Sequence, residues 1–186
     1  MKTFMMWLAA SWVVLLTGMV VRGSDSAGWV PQGYYRYPAI HGETIVFTAE
    51  GDLWRVESKG GVAQRLTSHP GEESRAAISP DGKTVAFSAQ YEGPTEVYTM
   101  ALDGSPPVRQ TFEGAGALVA GWTPDGKVLY STRVYSTLPN WQLATVDPKT
   151  GVGTLLPLSQ ASDGRADSVI SRHDHSAIHG INLWRI

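Results

Sequence analysis

The chain has 186 residues, 42% of them apolar, and no cysteine. That length and composition suit about one domain with its own core, and the missing cysteines exclude a disulfide framework, thiol catalysis and a cysteine-ligated metal centre. With 15 basic and 17 acidic residues scattered along the chain the net charge is -2, which excludes nucleic-acid binding through a basic stripe.

The first predicted element is a leader. Met1-Lys2 precedes an apolar stretch from Phe4 to Val21, and Arg22-Gly23-Ser24 follows it. A basic start, an apolar middle and small residues after it predict a secretory signal-peptide helix over 1–23, cleaved after Gly23 or near Ser26-Ala27. An uncleaved membrane anchor is the competing reading, because about 18 apolar residues is near the lower limit for crossing a bilayer. The expected location is the periplasm or the extracellular space.

From residue 30 onward a unit of some forty residues repeats. Gly42, Gly82 and Gly126 fall in register at spacings of 40 and 44 residues, a period typical of a propeller blade. The first strands are predicted at Tyr37 to Ile40, Ser74 to Ile78 and Leu118 to Trp122. The turns that follow are His41-Gly42, Ser79-Pro80-Asp81-Gly82-Lys83 and Thr123-Pro124-Asp125-Gly126-Lys127. In the last two, Pro presets φ, Asp bonds forward to backbone and Gly accepts positive φ. The second strands alternate with a period of two: Ile45, Phe47 and Ala49, then Val85, Phe87 and Ala89, with Tyr130 matching Phe87. Third strands carry an anchor at Trp54, Tyr98 and Leu143. Short polar fourth strands follow at Gln64–Thr67, Val108–Thr111 and Thr154–Pro157.

The anchor recurs in Leu183-Trp184-Arg185-Ile186, close to Leu53-Trp54-Arg55-Val56. The expected fold class is therefore all-β: a β-propeller of four-stranded antiparallel blades over 30–186, preceded by the signal helix. Blades are expected at 34–68, 74–112 and 117–158, with a truncated fourth at 165–186. A β-sandwich is the structural competitor. Gly164 to Gly180 fits the repeat poorly, and the propeller is expected to be incomplete, completed by further chain or by a homo-oligomer.

The stretch from Gly33-Tyr34-Tyr35-Arg36-Tyr37-Pro38 to Ile45-Val46-Phe47, with Glu50-Gly51-Asp52-Leu53-Trp54-Arg55-Val56, resembles the opening of the tricorn protease family, in particular its exported bacterial homologues. The Ser-Pro-Asp-Gly-Lys turns are similar to those of TolB and of prolyl oligopeptidase relatives. The tricorn resemblance implies a large serine peptidase whose propellers filter and guide peptides, with a PDZ-like module and a catalytic region further on. It carries no catalytic residue onto this chain. The function expected is that of a non-catalytic propeller segment in substrate gating or scaffolding for proteolysis. The alternatives are a periplasmic TolB-like interaction propeller and the propeller cap of a prolyl-oligopeptidase-type hydrolase. Expected partners are peptides or proteins and the catalytic region of the same protein.

No catalytic, cofactor-binding or metal-binding residue is assigned. A triad needs nucleophile, base and acid together, and no Gly-x-Ser-x-Gly elbow occurs. His41, placed in a tight turn where His tolerates positive φ, and His69, before Pro70, are turn and loop residues. His173, His175 and His179, with Asp174, form a ligand-like cluster of no standard metal spacing. Asp81 and Asp125 lack the alternating oxygen series of a calcium loop. Trp54, Tyr98 and Trp122 are expected in blade core, while Trp141, beside Asn140 and Pro139, sits in a loop where exposure is open.

Overall fold

Two-residue alternation is realised as twelve strands between Arg36 and Leu155 in a computed structural model, which describes residues 33–158, 161, 165–166 and 181–182. The leader, the His173–His175–His179 cluster and the anchor-like Trp184 lie outside the described residues.

Three sheets result. The first contains β1 (Arg36–His41), β2 (Thr44–Ala49), β3 (Asp52–Glu57) and β4 (Gln64–Arg65). The second contains β5 (Glu73–Ile78), β6 (Thr84–Ala89), β7 (Glu96–Ala101) and β8 (Val108–Arg109). The third contains β9 (Ala117–Trp122), β10 (Val128–Thr132), β11 (Gln142–Val146) and β12 (Gly153–Leu155). Each is an antiparallel meander in chain order, the arrangement of propeller blades. In the region expected to hold a truncated fourth blade, β13 (Arg165–Ala166) pairs antiparallel with β14 (Ile181–Asn182).

Turn chemistry explains the hairpins. In the second sheet the Ser79 amide donates to the Thr84 carbonyl at 2.8 Å, and the Gly82 amide to the Ser79 carbonyl at 2.9 Å. The Asp81 carboxylate accepts from the Lys83 amide at 3.1 Å and from the Ser79 hydroxyl at 2.6 Å. The third sheet repeats the two backbone bonds, from the Thr123 amide to the Lys127 carbonyl at 2.8 Å and from the Gly126 amide to the Thr123 carbonyl at 3.0 Å, while the Lys127 amide donates to the Thr123 hydroxyl at 3.0 Å. Glu50 and Gly51 both take positive φ, 55° and 88°, which a two-residue type I′ hairpin requires.

The sheets pack face to face. One core lies between the first two sheets, where Val46 and Leu53 meet Val85, Phe87, Tyr98 and Met100. A second joins the next pair, where Ala86 and Val97 meet Val119, Val128, Tyr130 and Val146. Leu129, Leu143 and Leu156 form a smaller cluster on the far side of the third sheet, with Leu158 and Ala161 against it. Burial of a side chain such as Phe87 or Leu53 stabilises by about 1.5–3 kcal/mol. The first strands lie side by side, β1 near β5 and β5 near β9, whereas β4, β8 and β12 pack chiefly on the third strand of their own sheet. The sheets thus fan out from a common inner edge.

Pairing corrects the anchor assignment in the third sheet. Phe47 stands opposite Trp54 and Phe87 opposite Tyr98, but Tyr130 stands opposite Ala144. Leu143 occupies the position of Leu53 and Val97, since their carbonyls all accept from the fourth segment, from Leu156, Leu66 and Gln110. The third blade keeps the aromatic on its second strand and places alanine at the anchor position. The nine residues 133–141 between β10 and β11, against two at 50–51, hide the shift when anchors are counted by period alone.

Two smaller corrections concern the ends of strands. The strands β4 and β8 stop at Arg65 and Arg109, because the hydroxyls of Thr67 and Thr111 turn inward and accept from the amides of Leu53 and Val97 at 2.9 and 2.8 Å, and β12 stops at Leu155. His41 is the last residue of β1, and Gly42 alone takes the positive φ of that turn, 56°.

Candidate functional site

The inner edge of the fan is built from strands that do not run evenly. Each first strand breaks register with its neighbour: β1 between Arg36 and Ala39, β5 between Ser74 and Ala77, and β9 opposite Leu129 and Tyr130. A bulge of this kind re-aims side chains. In β1 and β5 it is made by non-glycine residues at left-handed φ, Tyr37 at 50° and Arg75 at 53°. Such backbone costs roughly 1–3 kcal/mol and clusters at functional sites.

The bulges bring a set of cations and aromatic rings together. The Arg36 guanidinium lies 5.4 Å from the centre of the Tyr34 ring and 5.7 Å from that of Tyr37. Arg75 approaches the same Tyr37 ring at 5.8 Å. Arg36 donates to the exposed Glu72 carboxylate at 2.8 Å; among the described residues Arg75 has no carboxylate partner. Tyr37 remains 41% exposed. A guanidinium over an aromatic face is held by the ring while still presenting its N–H donors.

Behind this edge lie buried acids. Glu73, on β5 and fully buried, accepts from the Leu53 amide at 3.1 Å and from the hydroxyls of Thr67 and Tyr91, tying the second sheet to the first. Burial pushes its carboxyl above the usual carboxylate range, against the pull of those hydrogen bonds. Asp52 pairs with Arg65 and accepts the His69 amide at 3.2 Å. The second sheet repeats this with Glu96, which receives Arg109, the Thr111 hydroxyl and the Gly114 amide at 3.2, 2.5 and 2.8 Å. In the third sheet the corresponding residues are Gln142, Leu155 and Pro157, and Gln142 Oε1 is left without a partner among the described residues.

His69 and His41 are both exposed loop-edge groups. The His69 ring lies against Tyr91 at a tilt of 44° with ring centres 4.0 Å apart, and its Nδ1 accepts from the Gly71 amide at 2.9 Å. Asp81 and Asp125 are turn residues; hydrogen bonds from Ser79 and Thr123 respectively hold their carboxyls below the usual range. Tyr98 is core. Trp122 is half-buried, packed on the second core, and donates to the Ala77 carbonyl across the sheets at 2.9 Å. Trp54 departs from the expectation. It is half-buried and lines a cleft of about 400 Å³ with Tyr34, Tyr35, Arg36 and Phe47 on the outer face of the first sheet. Trp141 is half-buried under the Arg133 guanidinium at 4.6 Å.

The residues that sequence reasoning missed are Tyr37 and Arg75. A signal was present: Pro38 inside a strand pattern marks a bulge or an edge.

Comparison with known proteins gives the following likenesses. The family model described as the tricorn protease N-terminal β-propeller domain matches residues 32–178. Tricorn protease homolog 1 of Streptomyces coelicolor is 36% identical over 132 residues, covering 70% of this chain and 12% of that protein. The crystal structure of the tricorn protease superposes with a TM-score of 0.65 at 24% identity, covering 73% of this chain and 14% of that one. TolB from Acinetobacter baumannii gives 0.58 at 22%, covering 71% and 34%. The two structural likenesses speak for the fold, and the chain spans about an eighth of the length of the curated tricorn relative.

Proposed function

The chain belongs to the family of tricorn protease N-terminal β-propeller domains, and from that premise we propose that it is a non-catalytic propeller that admits and guides peptides for a tricorn-type serine peptidase. The observation that carries this reading is the bulged inner edge. Three first strands converge there and present Tyr34, Arg36, Tyr37 and Arg75 together. An axial surface of cations over rings suits transient contact with extended chains, since it offers donors and flat apolar faces without a closed pocket. Hydrolysis belongs to groups elsewhere in the peptidase. The apolar stretch from Phe4 to Val21 supports work outside the cytoplasm.

A second reading, a TolB-like protein-interaction propeller, is favoured by one feature. Phe112, Val134, Tyr135 and Leu138 are all exposed, and the first three line one hollow beside Tyr130. Fluorescence anisotropy with labelled peptides of graded length, run beside a peptidase assay, separates the readings. The peptide-guiding role predicts saturable binding of extended peptides with no turnover by this chain. Absence of peptide binding by the folded chain, with retention of an intact protein partner, would support the second.

A further inference from the structure

Resting on the reading that the axial edge receives peptides, we propose that Arg75, whose guanidinium lies over the Tyr37 ring, is a receptor for peptide carboxylates and gives the propeller a preference for acidic segments. Arg36 and Arg75 flank one tyrosine ring but differ in what they already hold. Arg36 is engaged by Glu72 at 2.8 Å; the Arg75 guanidinium has its aromatic support and, among the described residues, no anion. A planar guanidinium fixed against a ring keeps its fork of donors free for a carboxylate, which it can meet with two parallel bonds.

The backbone supports a role for Arg75 that stability does not explain. In the next pair of sheets the bulge is satisfied: the Val119 amide donates to the Ser88 hydroxyl at 2.8 Å. Register makes Arg75 the counterpart of Val119, and Thr48 that of Ser88. At this earlier position Arg75 is left-handed and Thr48 Oγ1 is fully buried with no partner among the described residues. The fold thus bears backbone strain and an unsatisfied hydroxyl where it could have used the bonded bulge. What the strained form provides is the placement of Arg75 beside Tyr37. Tyr37 holds the same register position in the first sheet and is left-handed too, so two neighbouring bulges share a strained form that the third sheet does without, and together they set the Tyr37 ring beside the Arg75 guanidinium.

A carboxylate can come from a side chain or from a peptide's free end, and the test distinguishes them. Anisotropy would be read with three labelled decapeptides: one with internal Glu and an amidated end, its Gln counterpart, and the Gln peptide with a free carboxylate. The wild-type chain is expected to bind at least one carboxylate peptide about tenfold more tightly than the amidated Gln peptide, as a charge-assisted pair would give. Arg75→Gly is expected to abolish that discrimination while raising the unfolding midpoint, because glycine takes left-handed φ without strain. Arg75→Lys should retain part of the discrimination and lose the geometry over the ring. Equal binding of all three peptides by the wild type overturns the carboxylate receptor and leaves peptide guiding intact. Failure of all three to bind defeats the underlying peptide reading as well. Discrimination that survives in Arg75→Gly overturns the assignment to Arg75.

Discussion

The imidazole of His41, at the end of β1, lies so close over Gly82 in the neighbouring sheet that a Cβ there would sit 2.7 Å from Cδ2 and 2.9 Å from Nε2. One turn glycine is therefore constrained twice, by its own φ of 71° and by a residue from the preceding repeat. Gly126, its counterpart at φ 81°, has open space where its Cβ would be.

Gly82→Ala and Gly126→Ala should each cost about 1–2 kcal/mol for a left-handed alanine. Only Gly82→Ala should couple to His41→Ala, by about 0.5 kcal/mol in a double-mutant cycle followed by urea unfolding. Equal coupling at both glycines would remove the inter-sheet contact from the account.

Glu73 predicts a pH dependence of stability. Its carboxyl is raised above 4.5 by burial, so as pH rises the unfolded chain releases its proton first. Below that value both states are protonated; above it stability falls, levelling once the folded carboxyl has ionised. Glu73→Gln should abolish this slope, so the urea midpoint of wild type relative to the variant should decline from acid towards neutral pH. A flat difference would contradict the assignment.

The acid–arginine pairs predict opposite responses in adjacent sheets. Glu96→Ala takes a buried acceptor from Arg109, the Thr111 hydroxyl and the Gly114 amide and should cost about 1–3 kcal/mol, whereas removing the exposed Glu92 arm of the same arginine should cost about 0.5 kcal/mol or less. Gln142→Met removes a carbonyl that has no partner among the described residues and should be neutral or gain about 1 kcal/mol. Thermal or urea unfolding reads all three.

Register in the third sheet is tested by two neighbours. Leu143→Ala opens a cavity in the outer cluster and should cost about 2–5 kcal/mol. Ala144→Tyr would restore an aromatic anchor opposite Tyr130 in a space already filled, and should cost about 1–3 kcal/mol through overpacking. Were Leu143 the true anchor, Leu143→Tyr would be the better tolerated change.

Much of this was legible beforehand because it depends on neighbours in sequence. Ser79-Pro80-Asp81-Gly82 and Thr123-Pro124-Asp125-Gly126 name their turns through local bonds, and Phe47, Phe87 and Tyr130 mark their strands by alternation. Of the candidate site only the β1 bulge was legible, through Pro38 inside a strand pattern; left-handed φ at Arg75 follows from strand pairing across a bulge, and no composition signal separates that Arg from any other surface Arg.

The sequence by itself determined the repeat, the four-stranded unit and the family, because each rests on short-range periodicity and turn chemistry. Only the tertiary structure decided that Ala144 and not Leu143 faces the second sheet, that Trp54 lines an open cleft, and that Arg36 and Arg75 meet over one ring. Those outcomes are set by register and by sheets packing on one another, and a single residue of slip or one bulge turns every side chain beyond it to the other face.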